Sequence, residues 1–198
     1  MHATARLVWT TFATLLLALA SPPARAADAD GRFMVKGAGT ATCERFLTAR
    51  QQKNAEYVSL AGWLDGYLTF LNQSEDRTFD VAPWQGTELL LSAVAVECRR
   101  NPQANFHGAA YRVATSLRPG RLQAKSPPVT ATVGDKSLVL YAEVVTRIQQ
   151  RLKLRGLFAP EPNGRYDADT TAALRAFQRD QQLPETGLPD QLTLAKLL

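Results

Sequence analysis

The side chains from which this 198-residue chain could build chemistry are few: 2 cysteines, 2 histidines and a scatter of carboxylates. His2 lies in an N-terminal leader, which leaves His107 as the one histidine of the mature chain. A catalytic zinc site takes two or three histidines with a carboxylate, so the count excludes it. Cys43 and Cys98 are an even pair. In an oxidising compartment such a pair forms a disulfide; the alternative, a nucleophilic thiolate, needs a free thiol beside a base. Acid–base hydrolysis asks only for two suitably spaced carboxylates, and the count leaves room for that. Glu44, Asp65, Glu88 and Glu97 flank or lie between the cysteines, but Asp65 and Glu88 sit in ordinary helical segments with no lytic motif around them. The reading is therefore non-enzymatic, with no catalytic residue, no metal and no cofactor.

The leader sets the compartment. His2 and Arg6 precede an apolar run from Leu7 to Ala20, Ser21-Pro22-Pro23 breaks it, and Ala24-Arg25-Ala26 offers small residues where a signal peptidase reads them. Residues 1–26 thus read as a secretory signal peptide cleaved after Ala26. The run is shorter than the roughly 20 apolar residues of a spanning helix, and no later stretch is both long and uncharged enough, so no membrane span is expected after cleavage. Losing Arg6 and Arg25 brings the net charge from +5 to about +3. Residues 27–118 carry 10 basic and 10 acidic side chains, so the excess lies further on. Neither that density nor its pattern suits a nucleic-acid partner. A mildly basic tail suits an anionic wall polymer.

The elements that must position these residues read as all-α. "TCERFLTAR" begins a helix with Thr42 as N-cap and Arg45 and Arg50 outward. Tyr57 to Leu71 is apolar nearly all round and predicts a central helix buried on several sides, with Gly62 and Gly66 one turn apart to admit a close neighbour. Gln85 to Arg99 predicts a third helix, and Phe106, Ala110, Val113 and Leu117 mark the inner face of a fourth. Residues 119–137 are rich in Pro, Ser, Thr, Ala and Lys and read as a linker of up to about 60 Å if extended; "VTATV" alternates like a short strand, but an extended segment is the preferred reading. Helices follow from Glu143 to Leu154, from an Asp167 cap onward, and from Pro189 to the end.

Thr42-Cys43-Glu44 with Phe46-Leu47, and Cys98 with Gln103-Ala104-Asn105-Phe106, resemble the first and last helices of the HdeA-type periplasmic acid-stress chaperones. That resemblance implies a small helical domain over 27–118, stapled by one disulfide, that holds client proteins when the periplasm turns acidic. The middle, "GWLDGYLTFLN", resembles instead a related helical group that includes secretion-system immunity proteins. Trp63, Tyr67 and Phe70 read as core, or as a surface for a dimer or a client, since aromatic residues are enriched at interface cores. Glu44, Asp65, Glu88 and Glu97 could titrate on acidification and loosen such a surface. His107 reads as an ordinary surface residue.

Ile148-Gln149 with Leu152, Gly156, Asn163-Gly164-Arg165-Tyr166, Thr170, Ala173-Leu174, Phe177-Gln178, Leu183, Thr186-Gly187 and Thr193 closely resemble the three-helix peptidoglycan-binding domain appended to cell-wall enzymes, over 138–198. Asp167-Ala168 stands where that family usually has Gly-Pro, and Asn163 where Asp is common. The resemblance implies a ligand of glycan and stem peptide. Arg165, Arg175 and Arg179 could pair with its carboxylates, Tyr166 could offer a ring to a sugar face, and Asn163, Gln178 or Thr186 could hydrogen-bond. The expected molecule is a periplasmic, wall-associated protein that binds peptidoglycan through one domain and a protein partner or client, or a second copy, through the other. A wall hydrolase with an unrecognised carboxylate-dependent domain and an immunity protein against a wall-degrading toxin are the alternatives.

Overall fold

A computed structural model describes residues 27–198; the signal-peptide reading lies outside them. The chain divides into two units at Met34–Val35, and the second, Val35–Leu198, is compact.

In the second unit a short 3-10 turn (Gly37–Thr40) leads into α1 (Cys43–Gln52). Thr42 caps it as expected, its hydroxyl accepting the Arg45 N–H at 3.2 Å. α2 (Ala55–Ser74) starts on Asn54, whose carboxamide accepts from Tyr57. α3 (Thr87–Arg100) and α4 (Phe106–Leu117, capped by Asn105) complete a bundle around Phe46, Leu60, Leu64, Leu91, Val94 and Phe106. A disulfide joins Cys43 at the start of α1 to Cys98 near the end of α3, across 55 residues of chain.

Three details of the bundle depart from the sequence reading. α2 is not buried on several sides: it buries one stripe, Tyr57, Leu60, Leu64, Leu68 and Leu71, while Val58 and Phe70 stand 67% and 51% exposed. Gly62 and Gly66 face open space, so they admit no neighbouring helix. Arg50 does not point outward freely; its guanidinium donates to the Ser92 hydroxyl at 2.8 Å and ties α1 to α3.

The segment read as an extended linker is also different. Leu122 is buried and pairs with Asp80 as a single antiparallel bridge. β1 (Pro128–Val133) then pairs antiparallel with β2 (Lys136–Tyr141), with Ala131 opposite Leu138 and Thr132 opposite Ser137. Gly134-Asp135 makes the two-residue turn, and Gly134 takes the positive φ (60°) that such hairpin turns require. Pro127-Pro128 suggested a linker, but a proline is tolerated at the first residue of a strand. The fold is therefore mostly helical with one small hairpin.

α5 (Ala142–Leu154), α6 (Ala168–Asp180) and α7 (Gln191–Leu197) enclose a second core of Val144, Val145, Ile148, Leu152, Phe158, Leu174, Phe177 and Leu194. Asp167 caps α6 as expected, its carboxylate accepting the Thr170 N–H at 2.9 Å. α7 begins later than expected: Asp190, not Pro189, sets its start by accepting from Thr193 at 2.8 Å.

The two cores meet along a seam. Trp84, on the segment before α3, packs against the second core. The Gln191 carboxamide accepts the Gly86 N–H at 2.6 Å and donates to the Trp84 carbonyl at 2.5 Å. Phe79 meets Tyr141 edge-on at 5.9 Å.

Candidate functional site

Two buried glutamines organise the C-terminal helices. On α5, the Gln149 amide donates to the Arg165 carbonyl (2.8 Å), the Thr170 hydroxyl (3.0 Å) and the Asn163 carboxamide oxygen (3.2 Å). Its own oxygen accepts the N–H groups of Asn163 (2.8 Å) and Gly164 (3.0 Å). On α6, Gln178 repeats the arrangement: it donates to Thr186, Leu188 and Thr193 and accepts the Gly187 N–H at 2.7 Å. In each case a glutamine fixes a loop whose glycine has φ near +70°, and the loop runs into an aspartate-capped helix. A fully buried amide with every donor and acceptor engaged is a rigid fastening.

The expected ligand-contacting residues divide accordingly. Gln178 is wholly buried and Thr186 accepts from it, so both belong to the loop's internal frame. Asn163 is exposed but its oxygen serves Gln149 and the Arg165 N–H. The half-buried Tyr166 donates its hydroxyl to the Gly187 carbonyl, tying one clamped loop to the other, and burial pushes its phenol pKa up. Arg179 is held by Glu185 through two hydrogen bonds, 3.1 and 2.7 Å. Arg165 and Arg175 are exposed and, among the described residues, make no salt bridge.

In the bundle, Trp63 and Tyr67 stack at 5.4 Å, and His107 meets both edge-on at 5.9 and 5.4 Å. The Trp63 indole donates to the Lys36 carbonyl at 2.8 Å and lies so close over Gly39 that a Cβ there would fall 2.2 Å from the ring. Trp63 and Tyr67 are therefore partly buried parts of one aromatic corner, whereas Phe70 projects on the open side of α2. His107 is not an ordinary surface residue: it is half-buried in that corner, and burial holds its imidazole pKa below 6.5. The acidic residues are each engaged separately, Glu88 by the Tyr57 hydroxyl (2.6 Å), Asp65 by Thr87 (3.0 Å), Glu97 by Arg100 and Arg112. Among the described residues no cluster of His, Cys, Asp or Glu is placed to hold a metal ion, and no helix is long and apolar enough to cross a membrane.

Residues 142–197 match a putative peptidoglycan binding domain. Residues 9–107, half of the chain, match the HdeA/HdeB family. The chain belongs to the HdeA/HdeB family. No curated protein and no solved structure matches it. In this HdeA/HdeB-family chain the matched segment holds α1 to α3 and the disulfide, and the second match coincides with α5 to α7 and both clamped loops.

The sequence reading of this HdeA/HdeB-family chain named Gln149 as a motif residue but gave it no role. The signal available was a glutamine amid the apolar α5 face, followed at a distance by Asn163-Gly164 and Thr170, with Phe177-Gln178, Thr186-Gly187 and Thr193 repeating the order. Gly187 offers a direct check. Its φ is 73°, and a Cβ would meet Thr171 Cγ2 at 2.8 Å and Arg175 Nε at 3.0 Å. Gly187→Ala is expected to destabilise the chain by about 1–3 kcal/mol in chemical denaturation; an unchanged midpoint would show that the loop relaxes freely.

Proposed function

We propose that this protein is exported to the periplasm, attaches to peptidoglycan through residues 138–198 and binds a protein partner or client through residues 27–118, without catalysing a reaction itself. The coincidence of the peptidoglycan-binding match with two glutamine-clamped loops carries the reading. Those loops lie beside Arg165 and Arg175, guanidinium groups suited to stem-peptide carboxylates. The leader and the disulfide support export. The separate engagement of Glu88, Asp65 and Glu97 supports a binding rather than a hydrolytic role.

The decisive experiment is co-sedimentation of residues 27–198 with purified sacculi. Most of the protein is expected in the pellet, and the double variant Arg165→Glu/Arg175→Glu should bind roughly tenfold more weakly. Protein that stays in the supernatant sinks the reading. A clearing band in a zymogram would overturn the non-catalytic part.

For the bundle, the family match supports a chaperone-like role, and the open side of α2 with Val58 and Phe70 offers a face to a partner or a second copy. His107 gives this role a pH dependence. Its folded pKa lies below the unfolded 6.5, so the unfolded chain binds the proton first. The contribution to stability is present above pH 6.5 and is lost as pH falls through the folded value. His107→Gln should therefore flatten the decline in bundle stability below pH 6.5, read by denaturant titrations at stepped pH; parallel curves for both proteins would remove His107 from the acid response.

A further inference from the structure

A groove of about 550 Å³ runs between the Asn163-Gly164 loop and the segment that precedes the hairpin. Arg121, Lys125 and Arg147 line it, against one carboxylate, Glu143, which is already paired with Arg147 at 3.2 Å. Both walls are built. Gln149 fixes the Asn163-Gly164 backbone on one side, where Gly164 lies so close to α5 that a Cβ would sit 2.8 Å from the Thr146 hydroxyl. On the other side Arg147 donates to the Gly120 and Arg121 carbonyls, and the Ser126 hydroxyl accepts the Glu143 N–H at 3.0 Å. Arg121 is turned by hydrogen bonds to the Arg77 and Arg118 carbonyls. The carbonyl contacts orient both guanidinium groups; Arg147, only 27% exposed, shares its charge with Glu143, whereas Arg121 is held by carbonyls and, with Lys125, leaves the groove a net positive charge. A charged pair formed there is screened less than one on open surface.

We propose that this groove binds a free carboxylate of a peptidoglycan stem peptide, so that wall recognition is shared between the three-helix module and the segment 119–127. The proposal rests on the peptidoglycan reading above and adds a second carboxylate site, lined by neither Arg165 nor Arg175 and built partly outside the three-helix module. The excess of fixed positive charge selects an anion, and arginine presents donors in the planar fork that a carboxylate matches. The groove has no aromatic residue in its lining, so it offers no ring on which a sugar face could stack. A peptide end, not the glycan, fits it. Lys125 is exposed at the rim and supplies a mobile ammonium that can close on the bound carboxylate.

The test uses the chain 27–198 and three probes: disaccharide-tetrapeptide released from sacculi by a muramidase, the same compound with its carboxyl groups amidated, and glycan strands stripped of peptides by an amidase. Calorimetry should show binding of the first that weakens with added salt, at least about a tenfold loss on amidation, and little binding of the stripped glycan. Lys125→Glu should lose about tenfold in affinity for the first probe, whereas Lys136→Glu, on the exposed start of β2, should bind like the parent. If the chain pellets with sacculi but treats the amidated probe or the stripped glycan like the intact one, the groove assignment is wrong and the peptidoglycan reading stands. The same holds if Lys125→Glu binds as the parent does. If the chain binds neither sacculi nor any probe, both fall together.

Discussion

Gln149→Ala should destabilise the C-terminal helices by about 3–5 kcal/mol, a loss comparable with much of the total stability of a small domain. The side chain is fully buried and uses both ends. Removing it leaves the N–H groups of Asn163 and buried Gly164 without their acceptor and takes a donor from the Arg165 carbonyl, while the Thr170 hydroxyl keeps its bond to Asp167 at 2.7 Å. Each stranded group costs about 1–3 kcal/mol, and a water entering the vacated space recovers part of that. Gln149→Glu keeps the shape but cannot donate when ionised, and it sets a charge against three acceptor oxygens. It should be no better than alanine at neutral pH and should recover as the carboxyl protonates on acidification. Urea denaturation followed by circular dichroism at pH 7 and pH 4 measures both effects. A cost below about 1 kcal/mol for alanine would mean that the loop is held by Gly164 and the Asp167 cap alone.

Reduction of Cys43–Cys98 is the second large effect. The bridge closes 55 residues, and in the chain-entropy model a loop of that size contributes roughly 4 kcal/mol by restricting the unfolded chain. The bundle core around Phe46, Leu91 and Phe106 has to hold without it. The second core contains no cysteine, so its own helices should persist until the bundle loosens. The mature chain has a tryptophan at each place of interest, Trp63 in the aromatic corner and Trp84 at the seam. With Trp63→Phe leaving Trp84 as sole reporter, reduction should shift the bundle transition to lower denaturant and expose the seam in the same step. Coincident transitions for oxidised and reduced protein would show that the bridge adds nothing to folding.

What the sequence disclosed and what it concealed follow from the range of the interactions. Thr42, Asp167 and the spacing of Val144, Ile148 and Leu152 act within one or two helical turns, so pattern alone places the helices they start or line. The cysteine pair was readable because its compartment and parity leave little else for it to do. The hairpin was hidden because "VTATV" acquires its identity from "KSLVLY", and neither strand declares the pairing by itself. Gly62 and Gly66 invited a packed neighbour that the fold places elsewhere, on the leucine stripe of α2. His107 is drawn into the aromatic corner by residues 40 and 44 positions earlier in the chain, Tyr67 and Trp63. Arg121 and Arg147 lie apart in sequence, in segments read as linker and helix, and only the turn of the chain through the hairpin lets them line one groove.

The seam at Trp84 bears on how a wall-bound molecule would present its bundle. Gln191 holds the backbone of Trp84 and Gly86 at both ends of its amide, and the partly buried Trp84 packs against the opposite core. A module anchored to a polymer mesh through such a joint carries its passenger like a bracket fixed to a wall, not like a buoy on a line. The bundle's height above the mesh and the direction in which it faces are set by the joint, so a large partner meets it from the sides the mesh leaves free. Cutting the grip of Gln191 would give the bundle slack, and with slack comes a wider sweep but a less constant approach.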